Sequence, residues 1–149
     1  MDAGITLLQC WSNRATEKPY LFGHGQNFRK LRPPFFWYNI ATVLDATSHY
    51  SPLVRHPAFR ELLAVARQWF TPDGLIIPQS VYLSFKKYSF GQKKVPSPWT
   101  TLFLSRICKR AAETDPDGIQ VVLSIDGPSL KGSKGKPVRA ETGHAKGKR

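Results

Sequence analysis

The stretch FFWYNIATVLDATSHY at residues 35–50, followed after a short break by PAFRELLAVARQWF at 57–70, decides the fold. In the first segment Phe36, Trp37, Ile40, Val43, Leu44 and Thr47 recur at three- and four-residue spacing, which gathers them on one side of a helix. Pro34 stands where a first-turn proline is tolerated, and Ser51-Pro52 stops the segment. Pro57 opens a second helix whose apolar face carries Phe59, Leu62, Leu63, Ala66, Trp69 and Phe70. The turn Thr71-Pro72-Asp73-Gly74 ends it. Two such helices joined by a few residues predict an antiparallel αα-hairpin.

Working outward, residues 76–90 admit two readings. Val81, Leu83 and Phe85 alternate with Tyr82 and Ser84, which suits a strand as readily as a short helix. Ser97-Pro98 is an N-cap followed by a first-turn proline, and the helix it starts presents Trp99, Leu102, Phe103 and Ile107 as a stripe. Arg106, Lys109 and Arg110 suit its C-terminal end, where the helix dipole favours cations. Beyond Ala112 the chain reads as a polar turn at 113–118, a β-prone island at 119–125, and a Gly-, Lys- and Ser-rich stretch at 127–149. That last stretch has too little apolar area to offset the entropy of ordering it. Towards the N-terminus, Ile5–Trp11 predicts one or two helical turns, and the Gly- and Pro-rich segment 18–34 embeds Tyr20, Phe22 and Phe28. The expectation is therefore an all-α chain, with αα-hairpin repeats over residues 1–112 and a polar, largely disordered basic tail over 113–149. In this reading nothing polar covers Leu7, Leu8 and Trp11, so self-association or a partner that covers the N-terminal flank is expected.

At 149 residues the chain suits one domain. Its net charge is +12, shared between the part before residue 113 and the last 23 residues, while 113–126 is acidic. Such a balance favours phosphate-rich partners, nucleic acid or an anionic surface, or is simply a solvated basic exterior. Two cysteines in no paired motif make neither a disulfide framework nor a zinc ribbon, and Cys10 and Cys108 are expected as small buried hydrophobes. No run of about 18 apolar residues predicts a membrane span. The N-terminus lacks a basic region leading into a long apolar run, so no signal peptide is expected and the cytoplasm is the default location.

The chemistry-bearing residues are sparse. There is no Gly-rich phosphate loop, nucleophile elbow or paired acid, and His49 and His56 flank the Ser51-Pro52 turn without metal-ligand spacing. No catalytic residue, metal site or cofactor is expected. Trp37, Tyr38, Asp45, Tyr82 and Trp99 could line an apolar pocket with one carboxylate, or be core. Arg29, Lys30, Lys93 and Lys94 are candidate anion-binding residues. They belong to basic clusters with Arg32, Lys86 and Lys87, interleaved with Phe28, Tyr88 and Phe90. Basic groups beside rings suit single-stranded nucleic acid, or are a solvated loop.

Several strings carry a resemblance: Lys18-Pro19-Tyr20-Leu21-Phe22-Gly23-His24-Gly25, Phe28-Arg29-Lys30-Leu31, Pro34-Phe35-Phe36-Trp37-Tyr38-Asn39-Ile40, Val43-Leu44-Asp45, the Asp73-Gly74 turn, Val81-Tyr82, Phe90-Gly91-Gln92-Lys93-Lys94 and Pro96-Ser97-Pro98-Trp99. Over roughly residues 5–110 the chain resembles the final repeats of bacterial proteins related to terpenoid cyclases and protein prenyltransferases. The resemblance implies αα-hairpins stacked into a toroid, of which this chain would be a fragment. It also implies motifs that are missing here. Asp2, Asp45 and Asp73 are the only aspartates before residue 113, and none adjoins another acid. Gln68 and Gly74 fit the repeat signature, but Ile76 stands where Trp is expected, and Asn39 where Asp is expected. The zinc-binding Asp, Cys and His set of the transferases has no counterpart by spacing. Fold analogy alone licenses no activity. The resulting expectation is a non-catalytic αα-repeat module that binds a protein partner or an apolar, isoprenoid-like ligand. The alternative is a basic nucleic-acid-associated protein, with a cyclase- or transferase-like enzyme as a distant third.

Overall fold

The computed structural model describes residues 2–16, 25–88, 90 and 92–124. The stretch expected as a tail, 127–149, lies outside the described residues, as do Tyr20 and Phe22. Seven α-helices follow in order: α1 Asp2–Ser12, α2 Gln26–Arg29, α3 Ile40–Thr47, α4 Ser51–Val54, α5 Pro57–Arg67, α6 Pro98–Thr114 and α7 Pro116–Ser124. A 3-10 turn spans Leu83–Phe85, and the described residues contain no strand.

Helix α5 is the hub. His56 caps its start through Nδ1, which accepts the Ala58 N–H at 3.1 Å, and Pro57 occupies the first turn. Ala58, Phe59, Leu62, Leu63 and Ala66 form its buried face, against which α1, α3, α4 and α7 pack. Burial of Phe59, Leu62 and Leu63 alone contributes about 1.5–3 kcal/mol for each side chain. The Thr71–Gly74 turn that ends the segment is closed by the Gly74 N–H on the Thr71 carbonyl and by the Leu75 N–H on Thr71 Oγ1. Gly74 sits at φ +74°, a backbone state in which a Cβ is strained.

Helix α3 packs on α5 as the hairpin reading requires, but it begins at Ile40 instead of Phe35. Asn39 decides this. Its side-chain oxygen accepts the Ala41 and Thr42 N–H groups at 2.8 and 3.1 Å, while Thr42 Oγ1 accepts the Asn39 N–H at 3.0 Å. This reciprocal capping box outweighs the apolar periodicity of Phe35–Tyr38. Phe36 and Trp37 consequently leave the helix and stand 55% and 61% exposed.

Helix α6 starts where expected, with Ser97 Oγ accepting the Thr100 N–H and Pro98 in the first turn. Its buried stripe is Thr100, Leu104, Ile107 and Ala111, so the expected stripe is displaced around the axis and Leu102 faces outward. The helix also continues past residue 112. The segment expected as a polar turn and a β-prone island is instead the end of α6 and all of α7, with Ile119 and Val122 buried and α7 packed on α5 and α6. Asp115 organises that corner. Its carboxylate accepts from Gly118 N–H and from the Arg60 guanidinium, and its carbonyl accepts the Ile119 N–H at 3.0 Å. A Cβ on Gly118 would collide with both the Asp115 carboxylate and the Arg60 guanidinium.

The N-terminal flank is likewise corrected. Helix α1 is 11 residues long and spends its apolar side on α3 and α5, leaving Leu8 at 0% and Trp11 at 2% exposure. The Trp11 indole N–H donates to Glu61 Oε2 at 2.9 Å, and the Arg14 guanidinium lies 4.1 Å from the ring centroid. Leu8 and Trp11 are thus core residues, while Leu7 is only partly buried. Among the described residues no helix is long and apolar enough to cross a membrane.

Candidate functional site

Two irregular segments, 31–39 and 76–97, lie outside the helices and carry most of the remaining rings. Both are pinned to the frame. Leu31 is fully buried and its N–H donates to Gln79 Oε1 at 2.8 Å. Ile76 is fully buried too, where the resemblance implies Trp; its N–H donates to Thr101 Oγ1 and its carbonyl accepts the Ser97 N–H. The alternation read at 81–85 is neither strand nor regular helix but the 3-10 turn, with Leu83 85% exposed.

Between these segments the rings touch in sequence. Trp37 contacts Phe36, whose ring stacks on Tyr82 at 5.1 Å and 25° and also meets Phe85 at 5.6 Å. Phe85 contacts Tyr88 and Phe90, which lie parallel within 4°. Phe90 reaches Trp99 at 6.1 Å, and Trp99 packs with Phe35 and Phe103. The result is a continuous aromatic ladder from Trp37 to Phe103. Cations border it: Arg32 sits 4.9 Å from the Tyr82 ring and Lys87 Nζ 5.2 Å from the Tyr88 ring, both within cation–π range.

At the Tyr82 end of the ladder is a cavity of about 180 Å³ lined by Asn27, Phe28, Lys30, Arg32, Tyr38, Asn39 and Tyr82. Among the described residues two cations and two phenols line it, and no carboxylate does. Burial pushes the Tyr38 phenol up to about 12, with the neighbouring Cys10 thiol adding to the rise, so the hydroxyl stays a neutral donor. The Arg32 Nε–H donates to Ser80 Oγ at 3.1 Å, which fixes the guanidinium against Tyr82. Asn39 serves as a wall only, because its side chain is committed to the α3 cap and to the Trp37 carbonyl.

The sequence candidates are thus redistributed. Tyr38 and Tyr82 meet Lys30 in the cavity; Trp37 and Trp99 lie along the ladder instead. Asp45 joins neither. Its carboxylate takes the Arg110 guanidinium, which also donates to Ser48 Oγ, so this acid fastens α3 to α6. Arg29 lies 5.4 Å from the Trp11 ring and lines a second cavity with Gln26, Lys30, Val65, Gln68 and Trp69. Lys93 and Lys94 are exposed on the segment leading to α6. His49 is exposed, and His56 is the α5 cap. Burial raises the Cys108 thiol to about 11, which holds it protonated and unreactive. Asn27, Phe28, Arg32 and Asn39 line the cavity but stood outside the two candidate sets, although the sequence already placed Arg32 in a basic cluster beside Phe28. Compared with family models, with curated proteins and with solved structures, the chain matches none.

Proposed function

We propose that this chain is a non-catalytic helical binding module, an αα-repeat unit of the toroid type, whose working face is the aromatic ladder. The observation that carries the reading is a set of linked rings left half in water: Phe36, Trp37, Tyr88 and Trp99 are all at least 40% exposed although each has ring neighbours. Contiguous exposed rings on a pinned scaffold are what recognition surfaces offer, since aromatic side chains give large contact area at low entropic cost. Such a face takes an apolar or planar group, from a protein partner or from an isoprenoid-like ligand. The pairing of α3 with α5 and of α6 with α7 supports the repeat reading.

A second reading, a nucleic-acid-associated protein, is favoured by the cations set over ladder rings and by Lys86, Lys93 and Lys94 beside them. Titration with farnesol and with a single-stranded oligonucleotide, each over a range of salt, tests both. An apolar ligand binds with little salt dependence, whereas counterion release makes strand binding fall steeply with salt. Trp37→Ala with Trp99→Ala abolishes either mode. Unchanged binding by that double variant would place the working face elsewhere.

A further inference from the structure

The cavity at the Tyr82 end of the ladder has a chemistry of its own. At about 180 Å³ it is smaller than the roughly 300–1,000 Å³ that encloses a whole small ligand, so it suits one group of a ligand and not the entire molecule. Leu31 is the buried anchor between Lys30 and Arg32, and both neighbours line the space. Tyr38 and Tyr82 are also part of the lining, and among the described residues no acid is. A carboxylate would match one cation with two oxygens. A phosphate group brings three acceptor oxygens and a charge of about −1.5 to −2, which matches two cations.

What lies next to the cavity identifies the rest of the ligand. Tyr82 belongs to both features: it is a wall of the cavity and the ring stacked on Phe36. A phosphate seated by Lys30 and Arg32 therefore has a flat, partly exposed aromatic surface beside it, and further along that surface Lys87 lies over Tyr88. Stacking platforms interleaved with cations fit bases joined to phosphates. We propose that the Lys30–Arg32 cavity is a phosphate pocket for a nucleoside phosphate whose base stacks on the ladder at Phe36 and Tyr82. The group comes from a free mononucleotide or from the end of a single strand. This inference rests on the ladder being a binding face.

Isothermal titration of the full chain with inorganic phosphate, adenosine, adenosine monophosphate, dodecyl phosphate and a 5′-phosphorylated oligothymidylate tests it. The monophosphate binds more tightly than phosphate or adenosine alone, and Lys30→Gln and Arg32→Gln each weaken it about tenfold. Lys109→Gln, a cation on α6 paired with Glu113, leaves it unchanged. Because Arg32 also holds Ser80, the Lys30 variant is decisive if Arg32→Gln lowers the melting temperature. Tighter binding of the oligonucleotide, reduced by Lys93→Gln with Lys94→Gln, identifies a strand end as the source; equal affinity identifies the free nucleotide. Adenosine binding as well as its monophosphate, dodecyl phosphate binding as well as the nucleotide, or indifference to Lys30→Gln would each overturn the inference. Farnesol binding in the absence of any nucleotide binding would sink the phosphate pocket while leaving the ladder as a binding face.

Discussion

The helical frame and the aromatic ladder use apolar residues in opposite ways. In the frame the buried side chains are mainly aliphatic: Leu8, Leu44, Leu62, Leu63, Leu104, Ile107 and Ile119 surround Phe59. They sit on helices at core-facing spacing, and close packing makes each one costly to trim. In the ladder the rings sit on irregular backbone, touch one another edgewise or stacked, and remain partly wet. The contrast teaches that ring-to-ring contact is not the same as burial. A cluster of aromatics can be connected ring to ring while Phe36, Trp37, Tyr88 and Trp99 keep much of their surface in water.

The sharpest way to break this comparison is to trim one side chain from each region. Phe59→Ala removes a fully buried ring and lowers stability by about 3–5 kcal/mol in urea unfolding. A loss below about 1 kcal/mol would mean that the frame is not the stabilising part. Next in size, Asn39→Ala removes the α3 cap that separates the two regions and costs about 1 kcal/mol. Its amide exchange should quicken in the first turn of α3 more than in α6. Gly118→Ala pushes the flexible ends of Arg60 and Asp115 out of their ion pair and costs no more than about 1 kcal/mol, read as an earlier urea midpoint at unchanged slope.

Acid probes the same corner as Gly118. The hydrogen bond from Arg60, reinforced by its charge, holds the Asp115 carboxyl below its ordinary range. A carboxyl depressed in the folded state stabilises at pH above its unfolded value, near about 4, and that contribution is lost as pH falls through the folded value. Unfolding followed from pH 5 to pH 2 should show a stability decrement that Asp115→Asn lacks. At the small end, Trp37→Ala changes stability by no more than about 0.5 kcal/mol, because that ring has little burial to lose. Calorimetry giving a loss of several kcal/mol would make the ladder part of the core and erase the distinction drawn above.

The irregular, ring-bearing side of the molecule was the less legible one, and particular residues show why. The helix begun by Ser97-Pro98 followed from local rules, as did the Thr71–Gly74 turn, whereas Cys10 and Cys108, expected as buried hydrophobes, are only partly buried. Asn39 is also a local signal, yet it competes with Phe36 and Trp37 for the start of α3, and hydrophobic periodicity outweighed it in the sequence reading. Ile119 to Leu123 is rich in β-branched residues; it is helical because α5 and α6 offer a surface for Ile119 and Val122. Tertiary packing there overrides a propensity difference of a few tenths of a kcal/mol per residue.

The sequence by itself determined what neighbours along the chain decide: helices where apolar residues recur at three and four, stops at proline and glycine, a cap at Ser97, and an excess of positive charge. Only the tertiary structure decided which apolar residues are core and which are surface. Leu8 and Trp11 look exposed along the chain but are covered by α3 and α5, whereas Trp37 and Leu83 look like core and are not. Tyr38, Tyr82, Lys30 and Arg32 likewise become one cavity only because Leu31 is anchored to Gln79, 48 residues away. Burial and convergence are properties of distant segments meeting in space, and the short-range periods that write helices into a sequence carry no record of them.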